Sequence, residues 1–142
     1  MHINDGYVRV RYEETDQMGV AYHGNYYTWF EVGRSSFFRS LGYTYAQLEE
    51  EGIIMPVIES NCSYKIPAKY DDELLIKTKI NQFKGVRLEF EYQVIRKTDE
   101  KLLAKGKTVH TFVNKSLKPI NFKKQNPKIW NLLSNCLEDV KL

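Results

Sequence analysis

The chain has 142 residues, a formal net charge of +3, 42% hydrophobic and 13% aromatic residues, four prolines and eight glycines. This is the make-up of one folded domain and excludes disordered, collagen-like and linker-rich organisations. No run approaches the roughly 20 apolar residues that cross a bilayer, and the start, Met-His-Ile-Asn-Asp-Gly, lacks the parts of a signal peptide, so a cytoplasmic protein without a transmembrane segment is expected.

The segment Tyr7 to Tyr12 alternates, with Val8, Val10 and Tyr12 on one face and Arg9 and Arg11 on the other, and predicts a half-buried strand. From Thr15 to Gly24 the chain turns polar and small, with Gly19 and Gly24 allowing a loop whose backbone approaches another group. Asn25 can cap the helix that follows. Tyr26, Trp29, Phe30, Gly33, Phe37 and Leu41 fall on one helical stripe that ends at Gly42, and core packing explains those aromatic rings better than a cofactor box. Thr44 and Gln47 have capping-box spacing for a short second helix stopping near Gly52.

The run from Ile53 to Ile66 is extended but contains Pro56, so its start belongs to an edge or a bulge. Leu74 to Phe83 reads as a strand. Val86, Leu88, Phe90, Tyr92 and Val94 alternate with Arg87, Glu89, Glu91 and Gln93, the clearest strand in the chain, and Thr98-Asp99-Glu100 turns it back into a partner over Leu102 to Val113. Asn126-Pro127 starts a terminal amphipathic helix, about residues 127–140, with Ile129, Leu132, Leu133, Cys136, Leu137 and Val140 on its apolar face. The order is α+β: an antiparallel sheet wrapped around one long apolar helix, in a single domain over residues 1–142.

Charge is uneven along the chain. Residues 1–59 hold four Lys/Arg against nine Asp/Glu, whereas residues 60–125 hold fifteen against seven, so a polyanionic ligand should meet the second segment. Cys62 and Cys136 have no metal or redox spacing and read as buried thiols; His110 reads as a core or interface histidine and His2 as part of a frayed terminus. Zinc spacings, phosphate-binding glycine motifs and nucleophile elbows are absent, and the basic segment lacks a readable nucleic-acid motif. No metal, organic cofactor or nucleic-acid partner is expected.

The loop Thr15-Asp16-Gln17-Met18-Gly19-Val20-Ala21-Tyr22-His23-Gly24-Asn25 combines a carboxylate, a histidine and a helix N-terminus. Unsatisfied N–H groups at such a terminus favour an anion, or a carbonyl oxygen that becomes one, and acyl transfer needs that. Asp and Asn also serve turns and caps, so composition alone leaves both readings open.

The string from Arg11 to Tyr26 resembles the signature of the 4-hydroxybenzoyl-CoA thioesterase family of hotdog proteins, in which Asp-x-x-Gly-x-x-aromatic-x-x-Asn opens the central helix. A second stretch, Asn61 to Leu74 with Tyr70-Asp71-Asp72, is similar to that family's passage between its second and third strands. The resemblance covers roughly residues 5–115 and implies a hotdog fold and hydrolysis of an acyl-CoA thioester. It implies that Asp16 is the nucleophile or general base and that the backbone N–H of His23, beside Gly24, polarises the thioester carbonyl. Tyr22 and Asn25 would then line the site and cap the helix, and Glu31 would lie near the acyl group. The His23 imidazole, as in the Tyr-His subgroup of the family, is a candidate for proton transfer. Arg87, with Lys84, Lys115 and Lys118, would hold the coenzyme A phosphates. Homodimers or homotetramers with the site at an interface are implied, and an acyl-carrier protein is a further candidate partner. The alternative is a module that binds such ligands without hydrolysing them; a hydratase on the same fold fits the loop less well.

Overall fold

The computed structural model describes residues 1–137. Its elements are β1 (Ile3–Arg9), a single 3₁₀ turn (Tyr12–Glu14), α1 (Asn25–Ser40), α2 (Tyr45–Glu50), β2 (Val57–Tyr64), β3 (Glu73–Lys84), β4 (Arg87–Arg96), β5 (Leu102–His110), α3 (Phe122–Gln125) and α4 (Pro127–Asn135). The strands form one antiparallel sheet in the order β1-β3-β4-β5-β2, with α1 lying against β1, β3 and β4. This is the expected α+β arrangement.

Alternation decides the two faces of the sheet. Leu88, Phe90, Tyr92 and Val94 of β4 are buried, while Glu89 and Glu91 point the other way, where Glu91 pairs with Lys79 at 3.7 Å and Lys105 at 3.1 Å. The stripe on α1 faces the sheet: Tyr26, Trp29, Phe30, Gly33 and Phe37 are buried and Phe30 stacks on Tyr92 at 4.4 Å, though Leu41 is half-buried. Gly33 is the point of closest approach. A Cβ there would lie 2.5 Å from Thr78 Oγ1 and 2.9 Å from Ile76 Cγ2, so the helix sits at its observed depth only because that position has no side chain.

One buried cation crosses this interface. Arg34 donates to the hydroxyls of Tyr45 and Tyr92, both at 3.2 Å, and Tyr92 continues through Thr108 to His110, whose other ring nitrogen lies 3.2 Å from the Met55 carbonyl. Burial, and then the Arg34 charge, lower the His110 pKa to about 4, so the ring is neutral in the folded protein. Of the two expected places for His110, core or interface, it occupies the core.

Several boundaries differ from expectation. The first strand is Ile3–Arg9 rather than Tyr7 to Tyr12, and Tyr12 is 77% exposed. The cause is the next turn: the Glu14 carboxylate accepts the Arg11 N–H at 2.8 Å and bends the chain out of the sheet. Val86 belongs to the β3–β4 turn beside Gly85 (φ 58) and is exposed, and β5 ends at His110, with Val113 making isolated bridges to Ile54 and Pro119. Cys136 is buried but Cys62 only half so. Thr44 and Gln47 form the anticipated capping box, and Asn126 caps α4 by accepting from the Ile129 N–H at 3.1 Å. Of the terminal helix, α4 ends at Asn135; residues 138–140 and Val140 of its predicted apolar face lie outside the described residues.

Candidate active site

Asp16 begins a tight turn. Its N–H donates to the Val20 carbonyl (2.9 Å), its own carbonyl accepts from Gly19 N–H (3.0 Å), and its Oδ1 accepts from Met18 N–H (2.9 Å). Gly19, at φ 77, takes the left-handed conformation that closes this turn. Asp16 Oδ2 has no hydrogen-bond or ion-pair partner among the described residues. The carboxylate is therefore anchored by one oxygen and available through the other.

The loop is stitched to its surroundings by backbone bonds, from Ala21 N–H to the Ala68 carbonyl and from Tyr22 N–H to the Glu14 carbonyl, both 2.8 Å. It delivers the chain to α1 through His23 and Gly24. The backbone N–H groups of these two residues have no acceptor among the described residues, as a helix N-terminus leaves them. The His23 carbonyl accepts from the Tyr64 hydroxyl at 3.1 Å. Burial, then the neighbouring Cys62, raise the Tyr64 pKa above that of an ordinary phenol, so the group remains a donor. Gly24 has ordinary helical angles; what excludes a side chain there is the Tyr22 ring, 2.7 Å from a Cβ at that position.

Asp16 and His23 line one open cleft of about 220 Å³ with Met18, Val20, Tyr26 and Tyr64, and with the Lys65 to Pro67 segment. Tyr22 packs against the His23 ring at 4.5 Å and borders this cleft from outside. Asn25 departs from the expected cap: Gly24 occupies the cap position, and the Asn25 side chain donates to the Glu14 carbonyl at 2.7 Å, pinning the helix start to the preceding turn. Sequence reading takes Tyr26 only as a core residue of the α1 stripe and does not single out Tyr64 or Glu14. Tyr64 and Glu14 lie inside the two recognised stretches, but nothing in their spacing signalled that the fold would bring them to the loop.

Two of the expected site residues lie elsewhere in the chain. Glu31 is exposed on the outer face of α1, in a separate groove with Val32, Ser35 and Arg39. Arg87 stands at the start of β4, paired with Glu59 at 3.7 Å. Along β2 this is the Val57 end, while the Asp16 cleft is at the Tyr64 end, roughly 23 Å away at the usual rise of a strand. At the Arg87 end a groove of about 420 Å³ lies between the hairpin tip, Gly85 and Val86, and Pro119, Ile120, Phe122 and Trp130. Lys84, Lys115 and Lys118 flank it in sequence and make no ion pair among the described residues. Among the described residues no cluster of His, Cys, Asp and Glu could hold a metal ion, and no helix is long and apolar enough to cross a membrane.

The model of the Thioesterase superfamily matches residues 18–103, a span that begins two residues beyond Asp16 and includes His23, Asn25, Glu31 and Arg87. The chain belongs to this superfamily. It is a hotdog-fold thioester hydrolase. YneP of Bacillus subtilis (strain 168), provisionally named an acyl-CoA thioesterase, is 39% identical over 89% of this chain and 92% of its own. The acyl-CoA thioesterase YbgC of Haemophilus influenzae (strain ATCC 51907 / DSM 11121 / KW20 / Rd) is 35% identical over 83% of this chain and 87% of its own. Among solved structures, the DHNA-CoA thioesterase from Staphylococcus aureus superposes with a TM-score of 0.88 at 34% identity, covering 95% of this chain and 90% of that one.

Proposed function

We propose that this hydrolase cleaves an acyl-CoA thioester to a free acid and coenzyme A, with Asp16 as the reacting carboxylate. The observation that carries the reading is the state of that carboxylate. One oxygen is fixed by the Met18 N–H, the other is unengaged, and the same cleft is lined by His23, whose backbone N–H is one of the unpaired groups that lead into α1. A thioester carbonyl placed between them meets a nucleophile or general base on one side and donors for its developing negative charge on the other. The His23 ring, exposed at the rim, is positioned to pass a proton to the departing thiolate. The similarity to named acyl-CoA thioesterases supports coenzyme A as the carrier.

Coenzyme A phosphates suit the Arg87 pole, where Lys84 and Lys118, without ion pairs among the described residues, adjoin the groove residues Gly85 and Pro119 in sequence. That pole lies too far from Asp16 within one protomer, and β2 suggests how the two meet. It is an edge strand largely exposed, Cys62 alone being half-buried, with Val57, Ile58 and Tyr64 all 46–49% exposed. Antiparallel pairing of two β2 edges sets the Val57 end of one copy beside the Tyr64 end of the other. The proposed unit is therefore a homodimer in which Arg87 of the partner subunit approaches this cleft, and Glu31 is assigned to such a shared face rather than to the protomer's own cleft.

The test is thiol release from a panel of aryl, short-chain and long-chain CoA esters by wild type and Asp16→Asn. Loss of a general base or nucleophile lowers kcat by at least about 10²-fold. Equal turnover by the two proteins would remove Asp16 from the mechanism, and light scattering that reports a monomer would remove the shared site.

A further inference from the structure

We infer that Glu14 is the positioning residue of this site, holding the Asp16 end and the His23 end of the loop in one fixed relation. The inference rests on the proposed role of that loop. Glu14 is 5% exposed, an unusual place for a carboxylate, and every hydrogen-bond partner of its carboxylate and of its backbone carbonyl among the described residues is a donor. Oε1 accepts from the Arg11 N–H (2.8 Å) and Arg11 Nε (3.4 Å), and Oε2 accepts from the indole N–H of Trp29 (2.9 Å). Its backbone carbonyl accepts from the Tyr22 N–H (2.8 Å) and the Asn25 side chain (2.7 Å).

These contacts divide into two functions. The carbonyl closes the loop: Tyr22 and Asn25 bracket His23 and Gly24, so the free N–H groups are held against the residue that lies two before Asp16. The carboxylate fixes what the loop is closed onto. Trp29 is buried one turn into α1, its ring 4.6 Å from Tyr26, so the bond to its indole sets the rotation and depth of the helix N-terminus relative to the 3₁₀ turn. Arg11, 65% exposed on its side chain, serves the carboxylate mainly through its backbone N–H. A capping carboxylate for a three-residue turn would need only the Arg11 contacts. The Trp29 bond reaches across fifteen residues to the helix that carries the donors, and a turn cap has no use for it.

Glu14→Gln makes the dependence measurable. An amide has one acceptor oxygen and one NH₂, so whichever way it turns, an NH₂ faces either the indole N–H or the Arg11 N–H. The expected result is a fall in kcat of about 10- to 100-fold with KM within about threefold, because a displacement near 1 Å between reacting groups costs on that order. Trp29→Phe deletes one donor while retaining an aromatic ring, and it should lower kcat in the same direction. The double variant should lose less than the two single losses combined, since both substitutions weaken the same Glu14–Trp29 connection. Thermal unfolding of each variant identifies the fraction folded at the assay temperature, and Trp29→Phe keeps the test open should Glu14→Gln fail to fold. Folded variants with lowered Tm but wild-type kcat would overturn the inference and leave Glu14 as a scaffold of the fold only. Asp16→Asn measured alongside separates the two readings. Full activity there with a crippled Glu14→Gln supports Glu14 as organiser of the donor end and removes Asp16 from the chemistry. A crippled Asp16→Asn with unimpaired Glu14→Gln and Trp29→Phe overturns the Glu14 inference alone.

Discussion

Adding one methyl group at Gly33 should test how the depth of α1 supports both stability and the site. In a helix interior, Gly→Ala gains about 1 kcal/mol from intrinsic propensity. Here the new Cβ would lie 2.5 Å from Thr78 Oγ1 and 2.9 Å from Ile76 Cγ2, with Tyr92 Cδ1 at 3.5 Å behind them. Thr78 and Ile76 are fully buried on β3 and β-branched, so neither can swing clear by a simple χ1 change. Overpacking of this kind costs about 1–3 kcal/mol, more when the neighbours are stiff, and α1 must lift from the sheet to relieve it. The net expectation for Gly33→Ala is a loss of about 1–2 kcal/mol, or roughly 3–8 °C in Tm for a chain of this size. Urea and thermal unfolding at one fixed protein concentration measure it. Because the lifted helix carries His23 and Gly24 at its start, kcat should fall as well, by more than the unfolded fraction explains. If Gly33→Ala is as stable as wild type or more so, the argument that close approach of α1 to β3 requires glycine is wrong.

Three other expectations follow from the buried polar groups and the basic pole. Thr78 Oγ1 is buried without a hydrogen-bond partner, so Thr78→Val, of nearly the same shape, should stabilise the protein by about 1 kcal/mol in urea titrations. His110, with its pKa lowered to about 4, stays neutral in the fold while an unfolded histidine protonates near 6.5. The unfolded state therefore binds the extra proton, stability is complete above pH 6.5 and declines toward pH 4, by up to about 3 kcal/mol, and His110→Asn should flatten unfolding profiles over pH 5–6.5. Lys115→Glu combined with Lys118→Glu should raise KM for CoA esters several-fold with little change in kcat, the difference shrinking as salt is added to the assay.

The legible parts of the fold were those in which a side chain's neighbours along the chain decide its position. The alternation of β4 and the stripe of α1 record a buried face at fixed period, and Thr44 with Gln47 records a cap between residues three apart. Misplaced boundaries came from interactions of another kind. Tyr12 continues the alternation of Val8 and Val10, and only the Glu14 carboxylate at the Arg11 N–H takes it out of the strand. Asn25 has the chemistry of a cap, yet the loop puts Gly24 in that place and turns the Asn25 amide backwards onto Glu14. Asp16 and His23, read from sequence as one group, line a single cleft because one short loop carries both. Tyr64 and Pro67, some forty residues further on, reach the same cleft only because the segment after β2 bridges to Val20 and Ala21. Glu31 shows the converse, since family resemblance put it near the acyl group and the chain folds it onto a separate groove, whereas Arg87 was drawn from the charge of the basic segment, which fixes no distance to Asp16.

The exposure of β2 also has a dynamic consequence. A strand on which only Cys62 packs, half-buried, against the core has little to hold its register, and β2 is retained by its ladder to β5 and by the irregularity between Val57 and Glu59. In an isolated protomer its amides should be among the first in the sheet to exchange with deuterium, by a local opening that leaves β3 and β4 closed. Pairing of two β2 edges would protect the amides that now face outward. Exchange at Ile58 and its neighbours, followed as the protein is diluted, would then report the strength of self-association from within the sheet itself.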